Sequence, residues 1–110
     1  MAMLRYSPQG DFDRILAQIE DGILGGSISA SLEERCDMQG EGSRCSVRVF
    51  ERYSHTGQNR VSLSVTLYET GGSIQLFAAA TGGSQALFFK VNTLGEEAFL
   101  DKLREVLSRL

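Results

Sequence analysis

The spacing of apolar residues changes period twice along this chain, and that change limits the fold more than any other feature. Over residues 11–24, Phe12, Ile15, Leu16, Ile19 and Ile23 recur at helical intervals. Asp11 stands where an N-cap is needed, and Gly25 and Gly26 supply the stop, so the spacing predicts an amphipathic helix. From residue 27 onward the period becomes two, and glycine-bearing turns cut the chain into strand-length pieces near 27–38, 43–54, 60–70, 73–81 and 84–92. The connections are 39–42, 55–59, Gly71-Gly72 and Gly82-Gly83, all short enough for hairpins. Residues 93–110 return to helical spacing through Phe99, Leu100, Leu103, Val106, Leu107 and Leu110, with Thr93 and Glu96 at capping-box separation. The expected fold is therefore α+β: a helix, a five-stranded antiparallel β-meander and a second helix, both helices on one face of the sheet.

A meander can be tested against its own turns, because a one-residue slip in pairing moves every side chain of a strand to the other face. A two-residue turn at Gly71-Gly72 sets Leu67 against Leu76, Val65 against Ala78 and Leu63 against Ala80. A similar turn at Gly82-Gly83 sets Leu76 against Phe89 and Ile74 against Val91. Continuing outward gives Val47 opposite Leu67, Val49 opposite Val65, Leu32 opposite Val49, Ile28 opposite Tyr53 and Cys36 opposite Cys45. The same register sets Asp37 beside Arg44 and Glu33 beside Arg48, which reads these arginines as halves of surface ion pairs rather than, with Arg52 and Arg60, a phosphate-binding stripe.

At 110 residues with 42% hydrophobic and 23% charged content, the chain fits one soluble domain. Its formal net charge of -3 argues against a general nucleic-acid or anionic-membrane binder. The first dozen residues lack the apolar stretch of a secretory signal, and no window is long and apolar enough for a membrane span, so a cytoplasmic location is expected. Cys36 and Cys45 have neither zinc-ligand spacing nor companion histidines, His55 being the single histidine, so no metal site and no cofactor is expected. Placed opposite each other, the two thiols would be within disulfide reach, although a reducing cytosol keeps them free.

Two features stand out as candidate sites. On the sheet face away from the helices, Phe77 is expected opposite Phe88, with Phe50, Tyr68, Ala79 and Ala86 in adjoining rows. An exposed apolar face of this kind points to homodimerisation or to a ligand groove. The alternation Val47, Val49, Glu51, Tyr53 directs Glu51 toward the interior near Ala30, Leu63 and Ala80, where burial would raise its pKa and suit it to acid or base work with Tyr53 or His55. A bulge at Val49-Phe50 would instead turn Glu51 outward. The segment 81–84, Thr-Gly-Gly-Ser, offers backbone amides to an anion but lacks Walker spacing, and reads as a hairpin turn.

The stretches ERYSHTGQNRVSLSVTL and GGSQALFFKVNTLGEEAFLDKL, with ILGGSIS before them, resemble a family of small uncharacterised bacterial proteins of about this length. The resemblance covers nearly the whole chain and implies no activity and no catalytic residue. The leading expectation is a non-enzymatic interaction module that self-associates through the aromatic sheet face. The alternative is a small-molecule-binding protein with its pocket between sheet and helices near Glu51, and an enzyme using Glu51 with Tyr53 or His55 is the third class.

Overall fold

The sheet begins at its edge with a strand, ahead of residue 11, where the periodic segments read from the sequence start. The computed structural model describes residues 1–54, 58–82 and 89–110, with side chains from residue 94 onward in the last segment. In chain order the elements are β1 (Ala2–Tyr6), α1 (Phe12–Gly25), β2 (Ser31–Gly40), β3 (Ser43–Ser54), β4 (Asn59–Thr70), β5 (Ser73–Gly82) and α2 (Phe89–Ser108). The five strands form one antiparallel sheet in the order β1-β5-β4-β3-β2. Both helices pack on the same face, giving the expected α+β architecture.

The expected strand over residues 84–92 is corrected. Its first part lies outside the described residues, and Phe89 onward is helical, so Phe89 and Val91 do not pair with β5. The outer edge of β5 is taken by β1, with Leu4 opposite Ala78 and Ala2 opposite Ala80. A buried sheet edge must have its amides paired, and five residues suffice to do so here.

Helix α1 forms as its sequence dictates. The Asp11 carboxylate accepts the Arg14 amide at 3.0 Å, and Phe12, Ile15, Leu16, Ile19 and Ile23 are all buried. Phe99, Leu100, Leu103 and Leu107 of α2 meet them over the sheet. The helices approach closely at Gly22, where an added Cβ would collide with Val106 Cγ2. At the β4–β5 turn Gly71 and Gly72 both have positive φ, 57° and 82°, as a two-residue hairpin turn with the strands' own twist requires. That turn delivers the expected register: Leu67 opposite Leu76, Val65 opposite Ala78, Leu63 opposite Ala80.

The β3–β4 pairing differs from expectation by one residue, and the difference inverts β3. Ser54 pairs with Asn59, so the connection is residues 55–58 and Asn59 belongs to the strand. Ser46 therefore faces Leu67, Arg48 faces Val65 and Phe50 faces Leu63. The even-numbered residues of β3 point under the helices, and Val47, Val49, Glu51 and Tyr53 point to the open face. Phe50, fully buried, is the apolar anchor of this interior row, whose other members are Arg44, Ser46, Arg48, Arg52 and Ser54. Arginine stems can cover apolar surface while their heads find polar partners, which is how so polar a row occupies an interior position.

From Glu34 onward the β2–β3 pairing is displaced by two positions in summed residue number, so β2 turns over together with β3, with Cys36 on the open face and Asp37 on the helix side. Leu32 lies opposite Phe50, Cys36 opposite Val47, Asp37 opposite Ser46 and Met38 opposite Cys45, with a bulge between Leu32 and Glu34. Ile28 precedes the strand and is fully exposed rather than paired with Tyr53. Cys36 and Cys45 are free thiols on diagonal rather than opposite positions, so the expected direct cross-strand disulfide geometry is not formed.

Candidate functional site

Inversion of β3 leaves three arginines under the helices at intervals of four residues, and each is accommodated differently. The Arg48 side chain is only 3% exposed. Its Nε donates to Glu20 of α1 at 2.8 Å, and one terminal nitrogen reaches Asp37 of β2 at 2.9 Å and the Val47 carbonyl at 2.9 Å. Burial pulls the Arg48 pKa down, but its hydrogen bonds to Glu20 and Asp37 outweigh that and hold it above the ordinary value. Asp37 is held below the usual carboxylate range, first by the Ser46 hydroxyl at 2.6 Å and then by Arg48. This network ties α1, β3 and β2 together through one cation.

Arg44, one row away, stacks 4.1 Å over the Phe12 ring and bridges Asp13 and Glu69, both at 3.2 Å. Arg52 lies 4.6 Å over the Phe99 ring, and burial lowers its pKa. These contacts correct the expected pairs: Arg44 meets Asp13 and Glu69 rather than Asp37, and Arg48 meets Glu20 and Asp37 rather than Glu33. Arg60 lies on the open face instead, 2.9 Å from Glu51, so the four arginines do not form one stripe.

A groove of about 410 Å³ opens where β1 ends beside β5 and β4, lined by Arg5, Tyr6, Ser7, Thr66, Tyr68, Gln75, Leu76 and Phe77. The register brings these residues together. Arg5 sits opposite Phe77, Phe77 opposite Thr66, and Tyr68 opposite Gln75. Arg5 is exposed and meets no carboxylate among the described residues. The groove thus combines a free guanidinium, a hydroxyl, an amide and apolar ring surface, the mix that small-molecule sites use to fix one end of a ligand and cover the other.

Compared with known families, the chain matches, over residues 1–110, a model described as a family of unknown function, DUF6054. The chain belongs to that family. No curated protein matches it. Membership in DUF6054 agrees with the resemblance to small proteins without an assigned activity, and it leaves the reading of this DUF6054 chain to its own residues.

The site residues anticipated for this DUF6054 protein are dispersed. Phe50 is in the core, Phe77 and Tyr68 stand in different rows of the open face at 41% and 39% exposure, and Phe88 lies outside the described residues. Among the described residues no aromatic cluster forms on the sheet face, and self-association through such a face is therefore not supported. Glu51 is on the open face, paired to Arg60 and accepting from the Ser62 hydroxyl at 3.4 Å, so it does not point between sheet and helices as anticipated. Tyr53 neighbours it along β3, its amide donating to Ser29 at 3.0 Å, and His55 lies outside the described residues. The Gly82 amide of the 81–84 segment is already taken by Glu96 Oε2 at 2.8 Å, while Glu96 Oε1 lies 2.6 Å from the Met1 ammonium. Gly83 and Ser84 lie outside the described residues. Among those residues no group of three His, Cys, Asp or Glu side chains is placed to hold a metal ion, and no helix is long and apolar enough to cross a membrane.

Arg5 and Tyr6 escape sequence reasoning because the first periodic segment starts only at residue 11. The signal was present in the alternation Ala2, Leu4, Tyr6 against Met3, Arg5, which is strand-like over only five residues.

Proposed function

We propose that this protein is a binding module for a small anionic molecule, a carboxylate or phosphate ester on an apolar body, held in the groove beside Arg5. The observation that carries this reading is the unmatched Arg5. The chain has 14 acidic residues against 11 basic ones, and the buried arginine of β3 is paired to two carboxylates, yet among the described residues this guanidinium, opposite Phe77, meets none. A guanidinium recognises carboxylates and phosphates in bidentate fashion. The Thr66 hydroxyl and Gln75 amide supply further donors, and the Phe77 and Tyr68 rings offer apolar contact for the rest of the ligand.

The reading is tested by titrating ¹⁵N-labelled protein with phenyl phosphate and phenylacetate. Amide shifts confined to Arg5, Thr66, Tyr68, Gln75 and Phe77, and lost in Arg5→Ala, are the expected result. Shifts scattered over the surface, or a response unchanged in Arg5→Ala, would overturn it.

A further inference from the structure

At the other side of the sheet, β2 is an edge strand of ten residues whose side chains from Glu33 to Gly40 are all exposed. It contains no proline and no lysine, two of the devices that keep sheet edges from pairing, and its one bulge, between Leu32 and Glu34, leaves residues 34–40 in regular register. We infer that this edge pairs antiparallel with β2 of a second copy of the chain, about a two-fold axis through Cys36.

The alternation of backbone groups restricts the registers available. Gly40 and Ser43 flank a two-residue turn and so exchange hydrogen bonds, which directs the amides and carbonyls of Gly40, Met38, Cys36 and Glu34 toward β3. Those of Arg35, Asp37 and Gln39 consequently point to the free edge. In a two-fold antiparallel pair they must meet one another. Centring the axis on Arg35 sets two arginines face to face and Glu33 against Asp37. Centring it on Asp37 sets two aspartates face to face. Centring it on Cys36 sets Arg35 against Asp37 twice, the one register of the three in which every facing pair of charges is opposite in sign.

Both charges have capacity for this contact. Arg35 is 60% exposed and reaches Glu20 only at 3.5 Å. Asp37 is 57% exposed and uses Oδ1 for both Arg48 and Ser46, leaving Oδ2 open. The axis stands perpendicular to the sheet, so the dimer is a continuous ten-stranded sheet with all helices on one side, and the two Cys36 thiols meet on the open side. They occupy a non-hydrogen-bonded pair, where opposed α-carbons are about 4.5 Å apart, inside the disulfide range of about 4.4–6.8 Å. Two thiols there give up two electrons and two protons to an added diazene such as diamide and close one disulfide.

Native mass spectrometry of the reduced full chain is expected to show a dimer. Brief diamide treatment should convert it to a covalent dimer on non-reducing gels, abolished by Cys36→Ser and unaffected by Cys45→Ser. Arg35→Asp, which turns two facing attractions into repulsions, should weaken dimerisation about tenfold or more, and Arg35→Asp with Asp37→Arg should restore it. Asp37 also holds Arg48, so circular dichroism of the double variant accompanies the measurement. If that variant is unfolded, the Cys36 cross-link and the single Arg35→Asp variant decide the matter. A reduced protein that is monomeric, a cross-link that passes through Cys45, or a dimer indifferent to Arg35→Asp would each overturn the inference.

Discussion

Replacing Arg48 by methionine isolates the charge at the centre of the interior polar row, because methionine keeps much of the apolar stem. The substitution removes the bonds to Glu20 at 2.8 Å and Asp37 at 2.9 Å. Breaking a sealed buried ion pair costs about 3–5 kcal/mol, chiefly because the surviving partner stays buried and unpaired. Here the survivors are partly solvated, Glu20 being 21% and Asp37 57% exposed, and Glu20 retains Arg35. The expected loss is therefore lower, about 2–3 kcal/mol at pH 7, a fall in Tm of about 10–15 °C for a chain of this size. The loss should also depend on pH. The folded-state pKa of Asp37 is depressed, so its contribution is present above the unfolded value and is lost as pH falls through the folded value. Part of that depression comes from Arg48, so wild type and variant should converge in stability as the pH drops below about 4. Urea unfolding at pH 7 and pH 3 checks both statements. A difference under about 1 kcal/mol at pH 7, the size typical of a surface pair, would refute the reasoning, as would a difference equal at both pH values.

Four further outcomes follow from the packing. Phe50→Ala should destabilise by about 3–5 kcal/mol and Val47→Ala by under about 1 kcal/mol in denaturant titrations, since the first residue fills the core and the second faces outward. Gly22→Ala should lose about 1–3 kcal/mol despite the better helix propensity of alanine, because its Cβ would collide with Val106, and Val106→Ala should recover much of the loss in the same assay. Gly72→Ala, at φ +82°, should cost about 1 kcal/mol in thermal unfolding without changing the spectrum of the folded protein. Arg5→Ala should leave stability within about 0.5 kcal/mol of wild type, separating loss of ligand response from loss of fold.

The elements that sequence made legible are those with a strong local signal. Helix α1 follows from five apolar positions, an aspartate cap and a double glycine, and the β4–β5 hairpin follows from Gly71-Gly72. Both signals act within a few residues and meet no tertiary competitor. The β3–β4 connection carried no such marker. Whether it ends at Gln58 or Asn59 is a one-residue choice, and alternation in β3 is ambiguous because Val47 and Val49 compete with Phe50 for the interior. Phe50 wins with the help of groups that a polarity pattern scores as exterior: the Arg44 and Arg52 guanidinium groups stack on Phe12 and Phe99, and the Arg44 and Arg48 heads meet carboxylates from α1, β2 and β4. That same inversion places Glu51 outside and Phe50 inside, while Phe77 and Tyr68 stand on the open face as expected, with β1 rather than residues 84–92 beside Phe77. The Arg5 groove depends on the second correction, since it needs β1 beside β5.

The inverted register of β3 is the claim on which the rest depends, and a nuclear Overhauser spectrum of ¹³C,¹⁵N-labelled protein tests it directly. Opposed residues in non-hydrogen-bonded antiparallel pairs bring their α-protons together. The account predicts Hα–Hα cross-peaks between Val47 and Thr66, Val49 and Ser64, and Glu51 and Ser62. Contacts pairing Val47 with Leu67 and Val49 with Val65 would instead return Glu51 to the interior and contradict it.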